Sequence, residues 1–239
     1  MPNNHDYIET INGVSFKMIF VEGGEVIIRY GDDSKKIIVP DFHIAETPCT
    51  QALWRAVMSK DPDELGFKGR DQNPVERVSW LDIVEGNPDT GEPAFLSRLN
   101  QLAQFGNYHL PSEAMWQYAA QGGNKSEGYQ YAGSDHLKEV GWFEKNSHEE
   151  TKPVKLKLPN EIGLYDMSGN VCEWCADHGT ENVKDLPVDG KPFLKKNSSL
   201  KVVRGGSWYY IGYISRIASR VRSFADFRYD YYGFRIARY

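Results

Sequence analysis

No stretch of this sequence stays apolar for the roughly 20 residues that a membrane-spanning helix requires, so no transmembrane segment is read in it. Cysteine is scarce. Cys49, Cys172 and Cys175 make an odd set of three, which does not form a disulfide framework. Cys172 and Cys175 have CxxC spacing, but no second CxxC and no HxxxH accompanies them to complete a zinc site. Two cysteines packed around Trp174 in an irregular core is the reading these residues favour. The six histidines (His5, His43, His109, His136, His148 and His178) stand without ligand spacing. Positive charge is also in short supply: 28 Lys and Arg against 33 Asp and Glu give a net charge of -5. That balance argues against nucleic acid as a partner, although arginines cluster between Arg204 and Arg238. The opening residues MPNNHDYIET offer neither a basic nor an apolar signal region. A cytoplasmic protein is therefore the default expectation, with the cell surface or a phage particle as the alternative if a leader was removed.

What is present suits an ordinary globule, with 40% hydrophobic and 26% charged residues. Residues 14–39 alternate short apolar runs with turn residues, which predicts a meander of strands. QALWRAVM, after Thr50, places Ala52, Leu53, Ala56 and Val57 on one helical face. A second helix is expected between Pro74 and Asn100, with Phe95, Leu96 and Leu99 at helical spacing. A third follows Pro111, with Ser112 as N-cap and Gly122 and Gly123 as its stop. Beyond Gly123 no clean period persists, and long loops of this kind need anchoring by metal or dense aromatic packing. No repeat, linker or composition break divides the chain.

Seven segments stand out: FVEGG (20–24), ETPCTQALWRAVM (46–58), NPVERVSW (73–80), YHLPSEAMWQYAAQGG (108–123), EIGLYDMSGNVCEWCAD (161–177), VVRGGSW (202–208) and GFRIAR (233–238). In this order they resemble the formylglycine-generating enzyme family, also called the sulfatase-modifying factor domain. The resemblance runs from about residue 16 to the C-terminus, which leaves residues 1–15 as an N-terminal extension. It implies a single α+β domain of C-type-lectin-like fold with much irregular structure. In the family's enzymes two cysteines follow RGGSW and bind copper. The resemblance puts those positions at Tyr210 and Ser215, and neither side chain supplies a redox thiolate or a soft copper ligand. The expectation is a protein without oxidase activity and without copper. The resemblance also implies a structural calcium site at Asp166, Gly169, Val171 and Glu173, two carboxylates and two backbone carbonyls suited to a hard cation. The alternative is that Asp166 and Glu173 cap loop amides without metal. A second family calcium site, near EVGWFEKNS, is expected to be lost at Val140. Glu173 and Asp177 could form an acid/base pair, but their place in the motif favours a structural role.

Between RGGSW and GFR lies YYIGYISRIASRVRSFADFRYDYY (209–232), which holds six of the 14 tyrosines and no Lys, Glu, Gln, Met or Trp. Codons AAC and AAT randomised at their adenines keep a final pyrimidine, and no such codon encodes those five residues. They readily give Tyr, Ser, Ile, Phe, Asp, Val, Gly and Ala. The segment in this respect resembles the variable proteins of diversity-generating retroelements, which bind ligands through a hypervariable surface between these two motifs. The resemblance implies a protein or cell-surface ligand. Tyr209, Tyr210, Ile211, Tyr213, Ile214, Ser219, Val221, Ser223, Phe227, Tyr229 and Tyr231 are the expected contact residues. Tyrosine gives contact area at low entropic cost, and small polar residues adapt around it. Arg216, Arg220, Arg222 and Arg228 are expected to brace the backbone instead. The other readings of the segment are ordinary aromatic packing with a fixed partner, or an uncharacterised enzyme.

Overall fold

A computed structural model describes residues 4–88 and 90–239. Eleven short strands and five helices of four to eight residues are joined by long loops. Among the described residues no helix is long and apolar enough to cross a membrane.

The largest sheet has the order β1-β2-β5-β11-β6. It brings together β1 (Tyr7–Ile11), β2 (Val14–Val21), β5 (Phe42–Ala45), β6 (Tyr108–His109) and β11 (Ala237–Arg238). Strand β11 pairs antiparallel with β5 and with β6, so the end of the chain closes the sheet that its beginning opens. β1 lies within the stretch read as an N-terminal extension, and it adds an edge to this sheet through five register pairs with β2. The expected meander of residues 14–39 is corrected in its pairing. β3 (Gly24–Tyr30) and β4 (Asp33–Val39) form their own two-stranded sheet, while β2 pairs with β5. The turn at Gly23 and Gly24 causes the switch. A Cβ on Gly23 would lie 2.5 Å from the Val39 carbonyl oxygen, and one on Gly24 would collide with the Tyr118 hydroxyl.

Helix α1 (Gln51–Met58) starts where Thr50 accepts the Leu53 N–H, at 3.2 Å. Instead of one helix between Pro74 and Asn100 there are two. α2 (Trp80–Val84) opens with a Ser79–Asp82 capping box, and α3 (Phe95–Leu102) carries Phe95, Leu96 and Leu99 inward. α4 (Glu113–Ala120) begins at Ser112 as expected, and all eight of its residues are buried. α5 (Leu137–Val140) is a single turn. One core cluster joins α1 and α3 to the four-stranded sheet, with Trp54 stacked on Phe95 at 5.1 Å and Phe234 edge-on to both. A second surrounds α4 and the β3–β4 hairpin.

The sheet that carries the tyrosine-rich segment has the order β10-β7-β8-β9. It consists of β7 (Cys172–His178), β8 (Leu200–Arg204), β9 (Val221–Phe224) and β10 (Tyr232–Gly233). Buried ion pairs tie it to the remainder. Glu113 of α4 receives Arg204 at 2.7 Å and Arg220 at 2.6 and 2.7 Å. Glu173 of β7 receives Arg235 through two bonds of 2.7 Å, and the Trp116 indole N–H at 2.7 Å. Arg235 also donates to the carbonyls of Ala45 and Tyr165, so one guanidinium links three separate chain segments. Burial alone would push the Glu113 carboxyl up, but the two adjacent guanidiniums hold it below the ordinary range.

Glu173→Gln should cost about 3–5 kcal/mol, because Arg235 stays buried without its counter-charge. Urea denaturation followed by tryptophan fluorescence measures it, and a loss below about 1 kcal/mol would show the pair is not needed.

Candidate functional site

Residues 209–232 leave β8 through the RGGSW turn, run over the surface and return as β10. Gly205 and Gly206 have positive φ, and a Cβ on Gly206 would lie 2.7 Å from the Ser215 Cα, so the turn is folded tightly against the segment it launches. Ser147 holds the Trp208 carbonyl at 3.0 Å, and the Trp208 indole donates to the Asp230 carbonyl at 3.0 Å. Trp208 thus joins the two ends of the segment.

The rings above Trp208 form a continuous row. Tyr209 stacks on Tyr231 at 5.1 Å and 10°, and Tyr231 stacks on Tyr229 at 4.9 Å and 5°. Tyr229 meets Phe227 edge-on at 5.5 Å, and Phe227 meets Phe224 at 5.2 Å. Tyr210 and Tyr232 lie beneath Tyr231, edge-on at 5.4 and 5.1 Å. Offset and edge-to-face contacts at these separations hold rings in defined orientations without burying them fully. Tyr209 is 56% exposed and Tyr213 60%, with Ile211 exposed between them at the start of the turn Gly212–Ser215. Burial raises the hydroxyl pKa of Tyr210, Tyr231 and Tyr232, so these groups stay protonated and serve as hydrogen-bonding groups.

The structure sorts the expected contact residues into tiers. Tyr209, Ile211, Tyr213, Phe227 and Tyr229 are exposed. Tyr210, Ile214, Ser219, Val221 and Tyr231 are half-buried, and the Ser219 hydroxyl donates to the Tyr213 carbonyl at 2.7 Å. Ser223 is corrected: it is buried and pairs with Lys201 of β8. Strand alternation is the reason, since Val221 and Ser223 share the inward face of β9 while Arg222 and Phe224 face out. Phe224 is a surface residue the sequence reasoning missed, and the period-two pattern of VRSF was the available signal.

Three of the four arginines tie the segment to carboxylates outside it. Arg220 is buried on Glu113, Arg228 grips Asp82 with bonds of 2.8 and 2.7 Å, and Arg222 reaches Glu181 at 2.8 Å. Arg216 lies over the Tyr213 ring at 4.6 Å.

Tyr210 and Ser215, the positions where the resemblance would put copper-binding cysteines, are half-buried and buried respectively. All three thiols are buried, and burial pushes each well above the ordinary thiol range. None is poised as a thiolate. The residues implied for calcium do not fit the ion as a set. Both Glu173 oxygens are taken by Arg235 and Trp116. Asp166 accepts the Lys155 N–H at 3.0 Å and the Asn170 amide at 3.2 Å. A guanidinium occupying the carboxylate that a dication needs leaves Gly169 and Val171 with carbonyls alone. Among the described residues no group of three or more His, Cys, Asp or Glu is placed to hold a metal. Asp177 accepts the Glu113 and Phe193 N–H groups at 2.7 and 2.8 Å, a structural role rather than a pairing with Glu173.

Fold and motifs together define a sulfatase-modifying factor domain of C-type-lectin-like type. Residues 14–239 match the sulfatase-modifying factor enzyme 1-like domain, and the chain belongs to that family. It is 34% identical over 205 residues to chaperone protein LppX of Paenibacillus barcinonensis, covering 68% of this chain and 71% of that protein. It is 32% identical over 205 residues to the formylglycine-generating enzyme of Streptomyces coelicolor, covering 78% of this chain and 58% of that enzyme. Among solved structures, Treponema denticola variable protein 1 superposes with a TM-score of 0.79 at 27% identity, covering 97% of this chain and 98% of that one. PvdO from Pseudomonas aeruginosa shares the fold, with a TM-score of 0.76 at 23% identity over 93% of this chain and 94% of that one.

Tyr213→Ser should change stability by no more than about 0.5 kcal/mol, and Tyr232→Ala should cost about 3 kcal/mol, since only the second opens the core. Equal losses would contradict the tiering. Millimolar calcium or a chelator should leave Tm unchanged; a chelator-reversible rise of several degrees would show Glu173 exchanging Arg235 for the ion.

Proposed function

We propose that this chain is a non-catalytic ligand-binding protein, the variable protein of a diversity-generating retroelement, which presents residues 209–232 to a protein or cell-surface ligand. The row of rings from Tyr209 to Phe224 carries this reading. It is aromatic, lysine-free and exposed, as the core of a binding interface is. Arg220 and Arg228 are tied to the carboxylates of Glu113 and Asp82, which supports a division of the segment into a braced backbone and free side chains. The similarity to a solved protein named variable protein 1 supports the same reading. So do the protonated, buried thiols, which give no route to cysteine oxidation.

A second reading is a catalytically silent family member with one fixed partner. The identity to a protein named a chaperone favours it, as does the 25% identity over 205 residues to the inactive Cα-formylglycine-generating enzyme 2 of Bos taurus.

DNA sequencing for about a kilobase beyond the stop codon separates the two. We expect a near-copy of codons 202–238 that differs chiefly where the copy has adenine, beside a reverse transcriptase gene. Absence of both would leave the fixed-partner reading. Incubation with copper, oxygen and a sulfatase-type cysteine peptide should yield no formylglycine; product above the protein-free blank would restore an oxidase.

A further inference from the structure

Beside β8 and β9, a cavity of about 800 Å³ opens between α2, the loop at Leu194 and the Phe227–Phe224 end of the aromatic row. Its walls are largely apolar, formed by Trp80, Leu194, Phe224 and Phe227. Its size falls in the range of small-molecule sites, about 300–1,000 Å³. Lys201 lines it and is only 4% exposed. Among the described residues no carboxylate lies within 4.0 Å of its amine. Buried lysines normally have such a partner, because an isolated ammonium in low dielectric is costly.

Two contacts hold the amine at the cavity wall. Nζ lies 3.6 Å from the centroid of the Trp80 ring, which is itself fixed by a 3.0 Å bond from its indole N–H to the Cys175 carbonyl. Nζ also lies 3.1 Å from His178 Nε2. His178 Nδ1 accepts the Lys195 N–H at 3.2 Å, which leaves the ring proton of a neutral imidazole on Nε2, to be donated to the Lys201 amine when that amine is neutral. The imidazole N–H and the amine thus meet at one wall of the cavity, where Glu85 and Asp177 act on the amine at longer range and no carboxylate of the described residues is close enough to pair with it. Glu85 and Asp226 also line the cavity. Their negative charge opposes an anion in the cavity, and opposes a dianion more than a monoanion.

We propose that this cavity is a second binding site, for a small monocarboxylate with an apolar tail, whose carboxylate accepts from Lys201 and His178 and whose tail lies against Trp80, Leu194, Phe224 and Phe227. The site borders the display segment, which contributes Phe224, Ala225, Asp226 and Phe227 to its lining, while Lys201, His178 and Trp80 lie outside residues 209–232. Burial pushes the Lys201 amine down to about 8, with Glu85 and Asp177 drawing it partly back up. The His178 ring is lowered as well, by burial and by Lys201. A bound carboxylate stabilises the ammonium, so binding at pH 8 takes up a proton.

The test is calorimetric titration of the full chain with octanoate and with 1-octanol at pH 8, in two buffers of different ionisation heat. Octanoate should bind at least about tenfold more tightly than octanol, the difference one charge-assisted hydrogen bond makes. The buffer dependence should show net proton uptake. Lys201→Met keeps an unbranched stem against Trp80 and should weaken octanoate about tenfold while barely affecting octanol. Equal affinity for the two probes, no proton uptake, undiminished octanoate binding by Lys201→Met, or no binding of octanoate to the wild type would each overturn the proposal. Should Lys201→Met fail to fold, the probe ratio and proton uptake of the wild type decide. Tyr213→Ser should leave octanoate binding unchanged, which separates this site from the tyrosine surface.

Discussion

The buried guanidinium–carboxylate contacts at Glu113 and Glu173 are the constraint on which the remaining structure depends. A charge taken out of water is tolerable only with a partner and saturated hydrogen bonds. Arg235 spends its donors on Glu173 and on carbonyls of Ala45 and Tyr165, and Arg204 spends its own on Glu113, Gln117 and the Ile217 carbonyl. Each guanidinium therefore fixes several loops at once. In a fold whose longest strand has eight residues and whose helices are as short, loop geometry has few other sources of order.

That frame lets the surface above it carry side chains that the fold does not require. Arg220 is anchored on Glu113 from within the tyrosine-rich segment, and Arg228 on Asp82, so the backbone of the segment is held by residues of one kind and the outer face is built by another. The aromatic rings touch one another more than they touch the core. Tyr229, Tyr231 and Tyr209 stack in series, with Tyr210 and Tyr232 as the layer that joins them to the interior. Where the row reaches β9 its last two rings become walls of the Lys201 cavity. An extended ligand surface and an open, largely apolar pocket thus share one strand.

The sequence was most legible where a local rule decides the outcome. Ser112 announced α4 because an N-cap satisfies backbone donors within its own turn, and the apolar face of QALWRAVM announced α1. The motifs carried the family and its α+β fold, which periodicity could not have supplied beyond Gly123. Partner choice between strands was hidden: β2 and β3 look like a hairpin in sequence, but the contacts that separate them, at Val39 and Tyr118, are distant in the chain. Register was hidden for the same reason, and Ser223 was read as facing out although β9 turns it inward. The calcium ligands at Asp166 and Glu173 looked suitable in isolation. Only the fold brings Arg235, from 62 residues away, onto Glu173.

The most direct test of the division between frame and display surface is a library. Codons for Tyr209, Ile211, Tyr213, Phe227 and Tyr229 are randomised together, and the fraction of folded clones is scored by protease resistance. If exposed rings contribute little folding energy and the buried ion pairs carry the loops, most clones stay folded. A library in which most clones are digested would show that the aromatic row is core, and that the surface is not free to vary.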